Sequence, residues 1–292
     1  MGSSRLSLKW KNNSQKLVSD PNTRKGHMQP NIDWNSVKKQ TLWSYEDLIG
    51  KLQEVLAYDF VQEHYNHTMK QAQGYADCVR RGYLQDRGDM TAYVDSIKGH
   101  FAFLESRGIG TYSEVVQSAR TRQDCEAFLL RTDIDFNAFI QTLNFLMRWV
   151  LPFKTPLREF IDLDRSESVG LLEALKTLGI KSNVDLLEVG RTEAGRGQLS
   201  NKTGKPAAHI LILVQRVDIS RLAYVRGKTV KHLCGGGYET LEKIANADLA
   251  EMEARMDTYY RTLGKTLADF KAVIPLAWMI GGAQIIPRVV MV

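Results

Sequence analysis

The sequence predicts an all-α protein made of stacked helical units. Three observations predict it: apolar residues recur at three- and four-residue spacing through most of residues 44–292, no stretch alternates like a strand between hairpin turns, and one short junction string appears three times. With 292 residues, 43% of them hydrophobic and 25% charged, the chain has the balance of a folded protein and is long enough to bury a sizeable core.

In chain order, residues 1–40 read as a flexible basic tail, rich in Ser, Asn, Lys and Pro and poor in apolar periodicity. Its Trp10, between Lys9 and Lys11, is suited to stacking on a base or lying on a partner surface. A helical segment follows over 41–93. Ser44 with Asp47 marks a helix start, and Leu48, Leu52, Leu56, Phe60 and Tyr65 continue the period. A first repeat unit is expected over 94–164, opening with a helix from about Met90 through Val94, Ile97, Phe101 and Leu104 to Gly108. A second unit spans 165–234, and a third, shorter one spans 235–292. The run from Ala272 to Val292 is apolar but interrupted by Pro275, Gly281, Gly282, Gln284, Pro287 and Arg288. A spanning helix needs about 20 mostly apolar residues, so this run is expected to be core, and no membrane partner is expected.

The units rest on the three strings Gly108-Ile109-Gly110-Thr111, Gly179-Ile180-Lys181-Ser182 and Gly237-Tyr238-Glu239-Thr240. Gly is expected to end one helix in the left-handed conformation, the apolar residue to pack back, and Thr or Ser to N-cap the next helix. The first two copies align without a gap at an offset of 71 residues, pairing Leu104 with Leu175, Arg120-Thr121 with Arg191-Thr192 and Thr132 with Thr203. A third alignment matches Asp135–Ile140 to Asp269–Ile274.

Charge is unevenly placed. Residues 1–40 carry eight bases and two acids, a net charge of +6, and the remainder is neutral overall. From Arg191 to Lys231 nine bases face Glu193 and Asp218, a local charge of +7. Such a run suits contact with phosphates; a solvated face is the plainer reading.

The segment Leu171–Asp248 resembles small helix-hairpin-helix domains grouped as a domain family of unknown function, and is similar to the C-terminal half of TfoX-like competence regulators. The likeness is carried by Leu175-x-x-Leu178-Gly179-Ile180, Asp185-Leu186-Leu187, Gly190-Arg191-Thr192, Gly195-Arg196-x-x-Leu199 and Asp218-Ile219-x-Arg221-Leu222. One departure stands out: hairpins of this kind usually read Gly-apolar-Gly, and here the string is Tyr224-Val225-Arg226, followed by Gly227-Lys228-Thr229. The resemblance implies a non-enzymatic, sequence-tolerant grip on a phosphate backbone, duplex DNA favoured over RNA. The expected contacts are Gly108, Gly110, Thr111, Gly179, Lys181, Ser182, Arg191, Arg196, Arg226, Gly227, Lys228, Thr229 and Lys231, with helix-start amides and cations facing one anion. The alternative is a helical interaction scaffold that binds a protein partner or a second copy of itself and no nucleic acid.

Chemistry is sparser. Gly227-Lys228-Thr229 and Gly264-Lys265-Thr266 suggest a P-loop, but the required earlier Gly is replaced by Leu222 and Tyr259 and no strand precedes either, so an ordinary turn and helix start is expected. Glu63 and His67 share a helix face without further metal ligands nearby. Cys125 and Cys234 sit at apolar helical positions, and three widely spaced cysteines with Cys78 exclude a disulfide framework. A reducing, cytoplasmic setting is expected, with no catalytic residue, cofactor or metal.

Overall fold

The computed structural model describes residues 32–84, 88–162, 164–271 and 275–291. Trp10 and the other residues of the basic tail up to Asn31 lie outside them. Among the described residues there are seventeen α-helices and only two isolated β-bridges.

The first helix corrects the expected tail boundary. α1 (Asn35–Thr41) buries Val37, and the Trp34 ring before it lies 4.7 Å from Tyr45 and 5.3 Å from Phe136. Two apolar anchors in a polar stretch suffice to hold this turn. α2 (Tyr45–Leu56) begins at Ser44, whose hydroxyl accepts the Asp47 N–H. The apolar period beyond it is broken at Ala57 and Tyr58, so α3 (Asp59–Tyr65) is a separate helix. Tyr58 has an extended backbone and its hydroxyl donates to Asp185 in the second unit, a long-range tie that periodicity does not encode. α4 (Met69–Tyr83) opens with a reciprocal Thr68–Gln71 capping box.

The first unit comprises α5 (Thr91–Ser106), α6 (Tyr112–Gln117), α7 (Arg122–Thr132) and α8 (Phe136–Phe145), followed by a π-helical turn over Leu146–Val150. The second comprises α9 (Ser166–Thr177), α10 (Asn183–Gly190), α11 (Glu193–Thr203) and α12 (Ala207–Ile219). The 71-residue offset is physical. Gly108 and Gly179 have φ of 79° and 81°, a conformation that disfavours any Cβ. Asp133 and Gly204 repeat it at the ends of α7 and α11, with φ of 60° and 65°. Thr111 and Thr121 cap α6 and α7 as Ser182 and Thr192 cap α10 and α11. Even the back-bonds recur: the Thr132 hydroxyl donates to Phe128 O and the Thr203 hydroxyl to Leu199 O.

Each junction also pairs with a preceding loop. Met69 N–H donates to Gly110 O and Tyr112 N–H to His67 O; in the second unit Leu157 N–H donates to Lys181 O and Asn183 N–H to Thr155 O.

The third unit is not the shortened copy expected. α13 (Gly227–Gly235) ends before Gly237 at φ 93°, Thr240 caps α14 (Leu241–Ala245), Asp248 caps α15 (Leu249–Thr262), and Gly264 takes φ 66°. A short α16 (Leu267–Lys271) precedes α17 (Leu276–Ile285), which Pro275 opens with the backbone that Pro206 has before α12. The same four steps recur at altered spacing. The proposed match of Asp135 to Asp269 fails, because Asp135 caps α8 whereas Asp269 lies inside α16 and accepts from Thr266.

In the described part of the apolar C-terminal run, Leu276, Met279, Ala283, Ile286 and Val289 are buried, as expected of core. α17 crosses α4 with backbone against backbone, so that a Cβ on Gly281 would lie 2.1 Å from Gly82 O. The last helix thus returns to the N-terminal segment. Near this closure the Arg221 side chain is fully buried, paired with Asp218 (2.5 Å), donating to Pro287 O (3.0 Å) and bonded to the Tyr65 hydroxyl. None of the described helices is long and apolar enough to cross a membrane.

Candidate phosphate-binding cleft

Most of the sequence-predicted contacts have intramolecular work. At the first junction the Gly110 N–H donates to the Glu114 carboxylate (2.6 Å), and Thr111 accepts the Glu114 N–H. At the second, Asp185 accepts from both Lys181 N–H (3.0 Å) and Ser182 N–H (2.8 Å), while Ser182 is buried. A carboxylate of the chain therefore already stands where a phosphate would sit. Burial opposes ionisation of Asp185, but Tyr58, these amides and Lys154 outweigh it and hold the carboxyl below its usual range. Gly108 and Gly179 serve as helix ends.

The basic run of residues 191–231 is likewise dispersed by the fold. Arg191 pairs with Glu63 (3.2 Å) and Glu188 (3.6 Å). Arg196 is 5% exposed and donates to the carbonyls of Gly190 and Arg191, closing the end of α10. Arg226 lies 4.0 Å above the Phe153 ring, and burial lowers the pKa of its guanidinium. Gly227 is buried against Glu159, whose carbonyl oxygen would be 2.4 Å from an added Cβ. The Lys181 side chain lines a separate cavity beside Lys154 and Phe153, whereas Lys228, Thr229 and Lys231 line one system of cavities.

That system lies between α12, α13 and α15. A cleft of about 1260 Å³ is lined by Lys228, Lys231, Lys243, Lys265, Arg165 and Arg216, with Asp162, Asp164 and Glu239 as its acids. Arg216 is held by Asp162 (3.4 Å) and the Phe160 carbonyl (3.0 Å), and Lys243 by Glu239 (2.5 Å). Lys228, Lys231 and Lys265 form no ion pair among the described residues. Their charge is felt by His232 on the same wall: burial first, then Lys265 and Lys228, depress its pKa below the ordinary histidine value. Close helix approach builds the wall, since a Cβ on Gly235 would lie 2.3 Å from the Tyr259 ring. Cys234 also lines the cleft, and burial pushes its thiol up to about 11, which disfavours the thiolate.

The third junction opens onto this cleft through Glu239, Thr240 and Lys243. Thr240 accepts the Lys243 N–H, so Lys243 occupies the third helical position, where the equivalent junctions carry Glu114 and Asp185. An acid that reaches back to the junction amides in two units is replaced by a cation in the third.

Arg216 belongs to the basic run of the sequence, whereas Lys243, Lys265, Arg165 and His232 lie outside the sequence-predicted contacts. The signal for Lys265 is the Gly264-Lys265-Thr266 string. Neither Gly-Lys-Thr string follows a strand, yet both lysines line the same two cavities. No group of three or more His, Cys, Asp or Glu among the described residues is placed to hold a metal.

Residues 169–271 match the model of a domain of unknown function, DUF4332. The matched stretch runs from α9 to α16 and contains every cleft residue named here except Asp162, Asp164 and Arg165. It begins after the first unit and carries neither the helix-hairpin-helix nor the competence-regulator name. No curated protein and no solved structure matches the chain.

Proposed function

We propose that the protein is a non-enzymatic, sequence-tolerant binder of the nucleic-acid phosphate backbone, with duplex DNA as its preferred partner, and that the cleft of the third unit makes the contact. The observation that carries this reading is the convergence of Lys228, Lys231 and Lys265, without an ion pair among the described residues, on one concave surface. Cations in a concave, partly desolvated surface focus potential and exchange condensed counterions for phosphate contacts. The likeness to helix-hairpin-helix domains supports the same class of partner, although the first two junctions hold their own carboxylates. The basic tail adds a second electrostatic contact.

The test is titration of random-sequence duplex DNA at several salt concentrations. Three to four phosphate contacts give a slope of log K against log salt of about −3. Joint replacement K228E/K231E/K265E is expected to remove most of the affinity, leaving only the weaker contact of the tail, whereas K176E/K181E, away from the cleft, leaves it nearly unchanged. Binding undiminished by the triple change, or that ignores salt, removes this reading.

A second reading has its own observation. Ile212 and Leu263, 51% and 43% exposed, stand on the rim of the same cleft. Apolar groups beside unpaired lysines suit an acidic amphipathic helix, which would make the protein an interaction scaffold. I212D/L263D separates the two: loss of a protein partner with unchanged DNA affinity favours the scaffold.

A further inference from the structure

Beside the cleft lies a smaller cavity of about 420 Å³, bounded by α13, α15, α16 and α17. Its walls are of two kinds. Tyr260, Phe270 and Met279 form an apolar, largely aromatic floor, with the Tyr260 and Phe270 rings 5.4 Å apart and His232 5.0 Å from Tyr260. Lys228 and Lys265 supply positive charge and Thr229 a hydroxyl, while Asp269 adds one carboxylate, held below its usual range by the Thr266 amide and hydroxyl and then by Lys265. Lys228, His232 and Lys265 line both this cavity and the large cleft, so they are the wall common to the two.

We infer that this cavity is a binding site for a single nucleotide unit, its base on the aromatic floor and its phosphate at Lys228 and Lys265. The chemistry of the walls selects a ligand with a planar, weakly polar body and one anionic end. The volume falls in the range of small-molecule sites and admits one such unit but no duplex. Tyr260 and Phe270 are 3% and 5% exposed, so a base meets a small apolar contact rather than a full ring face, and such contact tolerates any base. Thr229 lies in the first turn of α13, which no side chain caps, and the Asp269 Oδ2 atom is engaged by Thr266. Burial first, and after it the charges of Lys265 and Lys228, depress the pKa of His232, and an incoming phosphate would offset the part due to the lysines. The unit has two sources, a free nucleoside monophosphate or the unpaired terminal nucleotide of a nucleic acid. This site deepens the DNA-binding reading, and the terminal-nucleotide source rests on it.

The experiment uses the full chain and three probes: deoxyadenosine monophosphate, inorganic phosphate and deoxyadenosine. The expected result is that the nucleotide binds at least tenfold more tightly than either fragment and perturbs the His232 ring resonances. Thr229→Phe, which fills the cavity without removing charge, is expected to erase that advantage. Because this variant could misfold, its melting temperature is measured beside the wild type, and the wild-type comparison of the three probes decides alone if it does. Nucleotide affinity no greater than that of inorganic phosphate overturns the site.

The source is read from blunt duplex and from duplex with a one-nucleotide 3′ overhang. Tighter binding of the overhang, lost in Thr229→Phe while blunt duplex still binds, supports the terminal nucleotide. Equal binding of the two duplexes, with the free nucleotide bound, supports the free ligand. Duplex binding without nucleotide binding defeats the site and spares the broader reading; nucleotide binding without any duplex binding does the reverse.

Discussion

The second and third units share one local design and use it differently. At Lys181-Ser182 the junction amides are taken by Asp185, itself tied to Tyr58 and Lys154, so the helix start is closed from within. At Glu239-Thr240 the equivalent position is Lys243, and the junction borders the cleft. Repetition of a fold therefore does not repeat a site. One residue at the third helical position decides whether a junction is an internal joint or part of a cationic surface.

The largest expected effect comes from opening the closed joint. Asp185→Ala leaves the Tyr58 hydroxyl and two amides without their acceptor, while Lys154 keeps Glu54, and should cost about 2–3 kcal/mol in urea unfolding. Lys243→Ala should change stability by no more than about 0.5 kcal/mol, because its pair with Glu239 is exposed. Equal losses in the two variants would break the comparison. Next, Glu114→Ala in the first unit removes one junction bond to Gly110 and should cost about 1 kcal/mol. Converting the third junction to the form of the others, Lys243→Glu, should lower duplex affinity several-fold and reduce the salt slope by roughly 1. An unaltered slope would show that this junction takes no part in binding.

The smallest effect is a pH dependence. His67, His100 and His232 all have pKa values depressed chiefly by burial. A depressed histidine is neutral in the fold while the unfolded chain takes up protons near the ordinary value of 6.5. Stability from these groups is present above that pH and declines as pH falls through it toward the folded values. Phosphate bound at Lys228 and Lys265 raises the pKa of His232, so it should recover part of the loss. His232→Gln should abolish that recovery and His100→Gln should not, as read by thermal melts between pH 5 and 7.5.

Much of the fold was legible because its determinants are local. Glycine followed by an apolar residue and a hydroxyl marks a left-handed helix end and an N-cap, and all three strings adopt that geometry. The break between α2 and α3 was not legible, since the apolar period runs through it and the Tyr58 contact lies 127 residues away. The packed Trp34 helix was hidden in a polar stretch. The candidate site was read only in part. A run of nine bases signals positive charge but not its direction, and the fold turns Arg196 and Arg221 inward and lays Arg226 on Phe153.

The sequence by itself determined the junction glycines, the hydroxyl caps and the 71-residue repeat they form, because each junction depends on residues within a turn or two of one another. Only the tertiary structure decided which cations share a surface. Lys228 and Lys265 are far apart in the chain, and it is the close approach of α13 to α15, with Gly235 against Tyr259 and His232 against Tyr260, that accompanies their place on one wall. Electrostatic potential adds over groups near in space, and nearness across helices is a product of packing rather than of local sequence.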